Sequence, residues 1–518
     1  MEQKRLLHKS RFVEYDGTSL TVMRSVSSVQ VAVDPSLSTA LHRQLYEQLR
    51  EAILCRRLRP GTPVPSTRLL AAEVGVSRNT ILNAYEQLLA EGYLEARVGS
   101  ATRVADRLPD DVLCVRTGTD GELRLSDAAR RPSSRGALFA AAHRTCCVEQ
   151  GPPRPFRSGV PDVEAFPSTV WAGLVARYWR HPSRALSGYG FSAGYPPLRK
   201  AIAEYLRESR GVRCEPGQVI IVAGSQQGLD LAARVLLDPG DAVWMEDHGY
   251  LGARSAFAAS GARLLPIPVD QDGLNVAAAS AIDPTARMAY VTPSHQYPSG
   301  VLMSLPRRLR LLDWARRSGS WILEDDYERE FRYTGRPLAA LQGLDSQGCV
   351  VYLGTFSKVL SPALRLGYLV VPPTLVDVFE SAREVAGEHS PMMEQAALAD
   401  FITEGHFSRH IRRMRMIYAE RQAVLLKAAS GLAGVFQVEP RQAGLHVSLW
   451  LGAGMDDREA SRRAAEGGVD ARALSMYWLR SPDRHGLLLG YAAFTPKEIR
   501  EAAKRLCAVL RGMRRSTP

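Results

Sequence analysis

One lysine stands in a context suited to covalent chemistry. Only seven of the 66 basic residues are lysines, and Lys358 directly follows a buried-looking strand in VVYLGTFSK (350–358), whereas the others resemble ordinary exposed lysines. A lysine amine can form a Schiff base with an aldehyde. The hydroxyls of Thr355 and Ser357 and the guanidinium of Arg365 can hold a phosphate. An aldehyde and a phosphate on one molecule indicate pyridoxal 5′-phosphate (PLP) as a cofactor.

This cofactor also requires an acid opposite its pyridine nitrogen, which keeps the ring protonated. The strand-like run WILEDDY (321–327) places acidic residues at its carboxyl end, and we predict that Asp325 is this acid. Tyr327 is predicted to reach the phenolic oxygen. An Asp-Asp pair taken alone would be interpreted as a loop or a helix cap, so the assignment depends on its place at a strand end.

The phosphate needs the N-terminus of a helix as well. Gly224, Ser225 and Gln226 follow the predicted strand 219–223 and open an apolar helix, which fits this requirement. Such turns are common, so this signal is weak alone. Tyr250 is predicted to stack on the pyridine ring, with an ordinary core or surface tyrosine as the alternative.

A different chemistry is predicted near the N-terminus, where three short helical patterns precede a strand-like pair. In a helix-turn-helix, the second helix of the motif presents its first residues to the bases. Here these are Arg78, Asn79 and Thr80, which can contact guanine, adenine, and a phosphate or thymine methyl. Arg68 is placed for a phosphate, and Gly99 lets the turn between the strands approach DNA. A structural three-helix unit is the alternative.

These patterns divide the chain into segments. We predict a flexible arm over residues 1–37 and a winged helix-turn-helix (α+β) over 38–106. An irregular linker follows over 107–155, with one short helix near 137–143. A connection of this length separates two domains.

Residues 156–518 alternate strands with helices, which predicts an α/β domain with a mostly parallel sheet covered by helices on both faces. Long helices and two further strands form a smaller C-terminal α+β subdomain over about 385–518. The predicted strands are 219–223, 242–245, 263–267, 288–292, 321–324, 350–354, 367–371, 446–451 and 486–491, and the clearest helices are 226–237 and 307–318.

The composition excludes several classes of protein. Hydrophobic residues make up 45% and charged residues 23%, which is typical of a globular chain and not of a fibre or a disordered segment. No apolar run approaches the ~20 residues of a membrane span, and we expect no membrane partner and no secretory signal. Seven cysteines without a CxxC pair predict reduced thiols in the cytoplasm and no metal site. The net charge of +12 permits nucleic-acid binding without establishing it.

The N-terminal segment resembles the GntR family of winged-helix regulators over about 65 residues. The resemblance rests on the motifs GTPVPSTRLLA (61–71) and VSRNT (76–80) and on a glycine turn. Val64 and Ala101 are mild departures from the family pattern. The resemblance implies DNA contacts at Arg68, Arg78, Thr80 and Gly99.

Residues 156–518 resemble fold-type-I PLP-dependent aminotransferases. The matching segments are FRSGVPDVEAFP (156–167), GYGFSAGYPPLRKAIAEYL (188–206), VTPSHQYPSG (291–300), EDDYEREFRY (324–333) and GTFSKVLSPALRLGYLV (354–370). Joined to a GntR-type N-terminus, they resemble the MocR subfamily of bacterial regulators. The resemblance implies the cofactor roles given above for Lys358, Asp325, Tyr327, Tyr250, Ser225, Gln226, Thr355, Ser357 and Arg365. It also implies a head-to-tail homodimer in which Tyr189 reaches the phosphate of the other subunit's site.

Two departures from the aminotransferase pattern lie beside the expected ring site. Tyr297 replaces the asparagine that usually lies next to the phenolic oxygen of the cofactor. His248 stands where proline is common.

A third departure concerns the substrate carboxylate, which aminotransferases bind with an arginine near the C-terminal strand. Leu488 occupies that position here. Amino-acid-sensing members of the subfamily carry an arginine in a preceding segment, where this chain has Met476. Arg472, Arg480 or Arg484 can substitute, and the sequence does not choose among them.

These features predict a PLP-binding transcriptional regulator that binds double-stranded operator DNA. Its small-molecule effector is predicted to be PLP or a PLP–ligand adduct, in vitamin B6 or amino-acid metabolism. The alternatives are an active PLP-dependent aminotransferase with a DNA-binding head, and a DNA-binding module on a cofactor-free scaffold. The Lys358–Asp325 pair argues against the scaffold, and the missing arginine argues against the enzyme. We therefore expect sensing, with at most a residual aminotransferase-like half-reaction.

Overall fold

The computed structural model describes residues 24–26, 29–96, 101–110, 131–145, 151–333, 339–430, 436–438 and 442–516. The chain forms two compact units, one within residues 1–129 and the other within residues 130–518. None of the helices in the described ranges has the length and apolar character needed to cross a membrane.

Three helices form the centre of the first unit. They are α1 (Leu41–Leu54), α2 (Thr67–Val74) and α3 (Arg78–Ala90). The Oγ of Ser66 begins α2 by accepting the N–H of Leu69, and the Oγ of Ser77 begins α3 by accepting the N–H of Thr80. Gly75, in the left-handed conformation with φ of 75°, ends α2 and makes the turn between the two helices.

Two short strand pairs complete this unit. They are β1 (Arg24–Val26) with β2 (Val29–Val31), and β3 (Leu94–Glu95) with β4 (Arg103–Val104). The pair β3–β4 is the predicted wing. The pair β1–β2 lies where the sequence predicted a flexible arm, so the structure differs from that prediction. Val31 and Val33 are buried in the core of this unit, and the side chain of Gln48 accepts the N–H of Ala32 at 2.9 Å. Residues 1–23 lie outside the described residues.

An eight-stranded sheet forms the centre of the second unit. Its strands are β5 (Val219–Val222), β6 (Ala242–Asp247), β7 (Arg263–Asp270), β8 (Gly273–Leu274), β9 (Met288–Val291), β10 (Trp321–Asp325), β11 (Val350–Thr355) and β12 (Gly367–Val370). The spatial order is β5–β12–β11–β10–β9–β6–β7–β8. The run from β11 to β7 is parallel, whereas β12 is antiparallel to both of its neighbours and β8 is antiparallel to β7. All seven strands predicted for this sheet are present, and β8 was not predicted.

Helices cover both faces of this sheet. They are α4 (Ser134–Thr145), α5 (Ser168–Arg180), α6 (Arg184–Ser187), α7 (Pro196–Arg210), α8 (Ser225–Leu236), α9 (Leu251–Ala259), α10 (Val276–Ile282), α11 (Leu305–Ser318), α12 (Leu341–Leu344), α13 (Val376–Val385) and α14 (Met392–Thr403). Along β11, Tyr352 joins one apolar cluster while Val351 and Leu353 join another, as expected for a strand buried on both sides. The short helix predicted in the linker corresponds to α4, which packs against α9.

The C-terminal part forms a second, antiparallel sheet with three helices. Its elements are α15 (His406–Ser430), β13 (Phe436–Val438), β14 (His446–Leu451), α16 (Asp457–Glu466), β15 (Arg472–Ala473), β16 (Gly486–Gly490) and α17 (Pro496–Ser516). The strand order is β13–β14–β16–β15. Short 3-10 turns occur at Pro216–Gln218, Pro362–Leu364, Pro373–Leu375 and Leu474–Tyr477.

Candidate cofactor site and DNA-binding surface

The carboxyl ends of two parallel strands bring the predicted lysine and acid together. β10 and β11 are neighbours, with Asp325 in register with Leu353. β10 ends at Asp325, β11 ends at Thr355, and Lys358 follows directly. Asp325 and Lys358 are close enough for the charge of each to influence the pKa of the other. Open α/β sheets bind their ligands at this edge.

Asp325 is a buried acid at the end of β10. Tyr290 on β9 donates a hydrogen bond of 2.8 Å to its Oδ2, and its Oδ1 has no protein partner among the described residues. Burial raises the pKa of Asp325 to about 7, although the hydrogen bond from Tyr290 opposes the shift. A buried carboxylate oxygen in this position fits a partner that brings a proton and a positive charge, such as a protonated ring nitrogen.

Lys358 is a partly buried amine beside a backbone carbonyl. Its Nζ donates to the carbonyl oxygen of Gly159 at 2.6 Å. Burial lowers the pKa of Lys358, while the negative charges of Glu328 and Asp325 oppose the shift. A lowered pKa increases the fraction of neutral amine, which is the form that attacks an aldehyde.

A cradle suited to a phosphate lies at the start of α8. Gly224, with φ of 89°, begins this helix, and no side chain caps it. A β-carbon at Gly224 would lie 3.6 Å from a guanidinium nitrogen of Arg365, so the glycine leaves room above the helix N-terminus. Helix N–H groups and a guanidinium together form an anion site. The first helical residue is Ser225, and Thr355 ends β11 nearby in the same sheet.

The remaining predicted contacts have other partners in this structure. Tyr327 donates its hydroxyl to the carbonyl oxygen of His295 at 3.0 Å. The side-chain amide of Gln226 donates to the carbonyl of Gly252 at 3.0 Å, which leaves its backbone N–H in the first turn of α8 for an anion. The N–H of Ser357 is bound to the hydroxyl of Thr355 at 3.1 Å.

Aromatic rings line the same region. Tyr250 lies edge-to-face against Tyr297, with 5.6 Å between ring centroids. Tyr297 also packs against Tyr327 at 5.8 Å, and its hydroxyl is 3.1 Å from that of Tyr477. The tyrosine that replaces asparagine is therefore part of an aromatic wall. Tyr189, predicted to serve the other subunit, is 91% exposed in the single chain.

Sequence reasoning missed three contributors to this site. Tyr290, Gly159 and Glu328 contact or electrostatically influence Asp325 and Lys358. Tyr290 could have been found, because β9 neighbours β10 and its apolar run contains one tyrosine. Gly159 lies within the segment 156–167 that resembles the aminotransferases, but nothing in the sequence indicated that its carbonyl contacts Lys358.

The structure distinguishes the three arginines considered for a carboxylate. Arg472 on β15 is directly opposite Leu488 on β16, so both side chains lie on the same face of the sheet. Leu488 packs there with Tyr477 and Tyr297. The positive charge of Arg472 acts to lower the pKa of Tyr297, although burial holds that pKa well above its ordinary value.

The other two arginines have different surroundings. Met476, at the position where amino-acid-sensing members carry an arginine, is exposed. Arg480 donates to the carbonyl of Pro266 at 2.6 Å, and the guanidinium of Arg484 lies 4.6 Å from the ring centroid of Trp450. Arg472 is therefore the arginine that lies directly across the sheet from Leu488, which occupies the position of the missing aminotransferase arginine.

The first unit presents the predicted DNA contacts on two helix starts. Arg68 lies in the first turn of α2, and Arg78 and Asn79 open α3, all three with exposed side chains. The hydroxyl of Thr80 is 2.8 Å from that of Ser77, which anchors it at the start of α3. Gly99 lies outside the described residues.

Comparisons with known proteins follow the same division. Residues 41–104 match the family described as bacterial regulatory proteins, gntR family, and residues 156–506 match aminotransferase class I and II. The probable rhizopine catabolism regulatory protein MocR of Rhizobium meliloti is 44% identical over 92% of this chain and 95% of its own length. The chain belongs to the MocR type of GntR-family transcriptional regulators. This MocR-type regulator is also 30% identical to the HTH-type pyridoxine biosynthesis transcriptional regulator PdxR of Corynebacterium glutamicum, over 92% of this chain and 97% of that protein.

The second unit of this MocR-type regulator has the fold of the aminotransferases. It resembles LysN, an α-aminoadipate aminotransferase of Thermus thermophilus solved with N-(5′-phosphopyridoxyl)-L-leucine, with a TM-score of 0.66. The identity is 30%, over 73% of this chain and 96% of that chain. The predicted family, fold class and regulatory function are confirmed: this is a DNA-binding transcriptional regulator with an aminotransferase-like domain.

Proposed function

We propose that the second unit binds PLP and that its occupancy controls the affinity of the first unit for operator DNA. One observation carries the proposal: the amine of Lys358, the buried Oδ1 of Asp325 and the cradle at Gly224 and Arg365 lie on one edge of the sheet. The amine of Lys358 suits the aldehyde of the cofactor, the carboxylate of Asp325 suits its ring nitrogen, and the cradle suits its phosphate.

When bound, PLP would supply an electrophilic carbonyl and an electron-withdrawing ring. Lys358 would hold it covalently, and Asp325 would keep its ring nitrogen protonated. Tyr250 would stack on the ring, and Tyr327 would turn from the carbonyl of His295 towards the phenolic oxygen. The phosphate would be held by the residues predicted for it, which are Ser225, Gln226, Thr355, Ser357 and Arg365.

The effector is proposed to be PLP itself or an amine with a carboxylate that reacts with it. The position of Arg472 supports the carboxylate, because this guanidinium lies on the same sheet face as the aromatic wall. The names of the relatives point to rhizopine catabolism for MocR and to pyridoxine biosynthesis for PdxR. For the present protein we propose regulation of genes of vitamin B6 or amino-acid metabolism. We also propose that it acts in the cytoplasm.

The proposed assembly is a head-to-tail homodimer. Tyr189 is almost fully exposed, as expected for a side chain that serves the other subunit. A site that needs this tyrosine would be incomplete in a monomer.

The decisive experiment measures DNA binding and cofactor chemistry on the same protein. An operator is first selected from random double-stranded DNA, and affinity is then measured with and without PLP and a panel of amino acids. We expect PLP to change the affinity, with negligible transfer of an amino group to the cofactor in stopped-flow absorption. Equal affinity with and without PLP would contradict the proposal.

Arg472 also supports a second candidate function, an active aminotransferase with a DNA-binding head. Rapid formation of pyridoxamine phosphate with one amino acid would favour that candidate.

We expect Arg472→Gln to weaken the response to a carboxylated effector by about 10- to 100-fold, the range for loss of a hydrogen bond to a charged group. Arg480→Gln is the matched control from the same segment and should leave the response unchanged.

A further inference from the structure

Three buried side chains meet beside Lys358, and none of them was predicted from the sequence to bind the cofactor, although the charge of Glu328 influences the pKa of Lys358. His295 follows β9, Glu328 follows β10, and His446 begins β14. Their side chains are at most 4% exposed. Glu328 Oε2 is 3.8 Å from His295 Nε2 and 3.7 Å from His446 Nδ1, and one donor atom from each residue lies within 4.8 Å of the other two.

Several polar atoms of Glu328 and His446 have no hydrogen-bond partner among the described residues. Distances of 3.7–3.8 Å are too long for hydrogen bonds. Glu328 Oε2 accepts the N–H of Leu445 at 2.9 Å, but Glu328 Oε1 has no protein partner among the described residues. Neither ring nitrogen of His446 has a hydrogen-bond partner among the described residues, although Nδ1 lies at ion-pair distance from Glu328. Buried polar atoms of this kind call for a ligand, an ion or an ordered water.

The donor set is that of a transition-metal site. Two imidazole nitrogens and one carboxylate oxygen bind Zn²⁺ at about 2.0–2.2 Å, which places neighbouring donors of a tetrahedral site roughly 3.3–3.5 Å apart. The observed 3.7–3.8 Å between Glu328 and each histidine is a few tenths of an ångström wider, and the donor atoms of the two histidines lie within 4.8 Å of each other, so the side chains would have to move closer together to bind the ion. Ca²⁺ and Mg²⁺ prefer shells of oxygen ligands, which one carboxylate does not supply.

The cluster joins the two sheets of the second unit. His295 and Glu328 belong to turns at the carboxyl edge of the eight-stranded sheet, whereas His446 belongs to the four-stranded sheet. We propose that His295, Glu328 and His446 form a Zn²⁺ site that ties the C-terminal sheet to this edge. The site uses no cysteine, so the cysteine spacing that predicted no metal site does not bear on it.

The first test is Zn²⁺ binding by the untagged, full-length protein, measured by competition with a chromogenic chelator. We expect a single tight site in the wild type. Glu328→Gln and His446→Ala should each weaken binding by more than about 100-fold, the upper end of what loss of an outer-shell partner costs. His485→Ala is the matched control, because it disrupts a second metal-capable group among the described residues, Asp456, Asp457 and His485, which is more exposed.

The outcome separates the two groups of residues. Absence of tight binding in the wild type would overturn the proposal, as would binding that is lost in His485→Ala and kept in His446→Ala. Circular dichroism checks that each variant is folded. If the variants at the cluster do not fold, X-ray absorption spectroscopy of the Zn²⁺-loaded wild type is used to count the imidazole ligands of the ion. A shell with two imidazoles supports the site, and one with a single imidazole or none contradicts it.

Discussion

At the scale of single residues, two adjacent carboxylates show how the fold gives identical groups different chemistry. Burial would raise the pKa of Asp326, but the charges of Arg210, 2.8 Å away, and Arg329 hold it below its ordinary value. Asp325 has no such arginine, and burial raises its pKa to about 7. Asp326 is therefore a structural anion, whereas Asp325 is an acid whose charge responds near neutral pH.

The stability of the cofactor-free protein should depend on pH because of the raised pKa of Asp325. Its pKa is raised from 3.8 to about 7 on folding, so at intermediate pH the folded state holds a proton that the unfolded state has released. The stabilisation from this proton is fully present below the pKa of Asp325 in the unfolded state. It is lost as pH rises through the pKa of Asp325 in the folded state. Relative to Asp325→Asn, the wild type should lose stability as pH rises from about 4 to about 7. One pKa unit corresponds to about 1.4 kcal/mol, which predicts a difference of a few kcal/mol.

Melting temperatures of the two proteins across this pH range provide the measurement. Burial also raises the pKa values of Glu246 and Glu324 to about 7. Glu324 contributes equally to both proteins, whereas the charge of Asp325 adds to the raised pKa of Glu246, so the difference between the two profiles includes this effect on Glu246. Asp483→Asn, at an exposed aspartate, is the control. Parallel profiles for wild type and Asp325→Asn would show that Asp325 ionises normally.

Lys358 should be the attachment point of PLP. Its amine lies at the strand edge with Asp325, and its lowered pKa favours the nucleophilic form. Borohydride reduction of the PLP-loaded protein followed by peptide mapping should find the pyridoxyl group on Lys358. Lys358→Ala should remove the visible absorption of the bound cofactor, whereas Lys427→Ala, on α15, should retain it. A label on another lysine would be evidence against the site.

At the scale of elements, capping serines fix where the DNA-contacting helices begin. Ser66 and Ser77 bind the first-turn N–H groups of α2 and α3, so Arg68 and Arg78 stand at helix starts. Exposed arginines at such positions can reach DNA without rearrangement of the helices.

Arg78 and Arg68 should contribute to DNA binding in different ways. Arg78→Ala should cost about 1–3 kcal/mol of binding free energy if the guanidinium contacts a base through two hydrogen bonds. Arg68→Ala should mainly reduce the slope of log affinity against log salt, by about one, because a phosphate contact releases a counterion. Arg43→Ala on α1 is the control, since Arg43 pairs with Glu47 at 3.1 Å on an exposed helix face. Fluorescence anisotropy over a salt series measures both quantities, and unchanged values would mean that another surface meets DNA.

At the scale of the whole molecule, exposed aromatic side chains point to an assembly. Tyr189, Trp179 and Phe191 are 91%, 61% and 46% exposed in the single chain. Aromatic residues are enriched in protein interfaces, where they become buried.

We expect the protein to be a dimer through its second unit, with Tyr189 acting on the other subunit's phosphate site. Sedimentation velocity of the PLP-loaded protein should give a dimer, and a PLP-saturated monomer would contradict this assembly. Tyr189→Ala should lower PLP affinity, whereas Leu309→Ala, at a comparably large exposed residue on α11, should not.

Mixed dimers of Tyr189→Ala and Lys358→Ala chains test whether Tyr189 acts across the interface. If it does, one of the two sites in each mixed dimer combines an intact Lys358 with an intact Tyr189, and that site should bind PLP with wild-type affinity. If Tyr189 instead serves its own chain, each site lacks one of the two residues, and no site of wild-type affinity should be found.

The sequence by itself determined the family, the fold class and the two kinds of chemistry, because these depend on signals local in the chain. Apolar runs predicted all seven main strands, and the TFSK and EDDY segments located Lys358 and Asp325 at strand ends. The hairpin β1–β2 escaped prediction because its three-residue strands have no period, and Val31 and Val33 are ordered by burial against the first unit.

Only the tertiary structure decided which distant residues meet. Strand register places Arg472 opposite Leu488, which the sequence left open among three arginines. The approach of two sheets places His446 beside His295 and Glu328, and no local motif joins these positions. Contacts of this kind depend on the order of strands in space, and the pKa of each buried group depends on which charges that order brings near it.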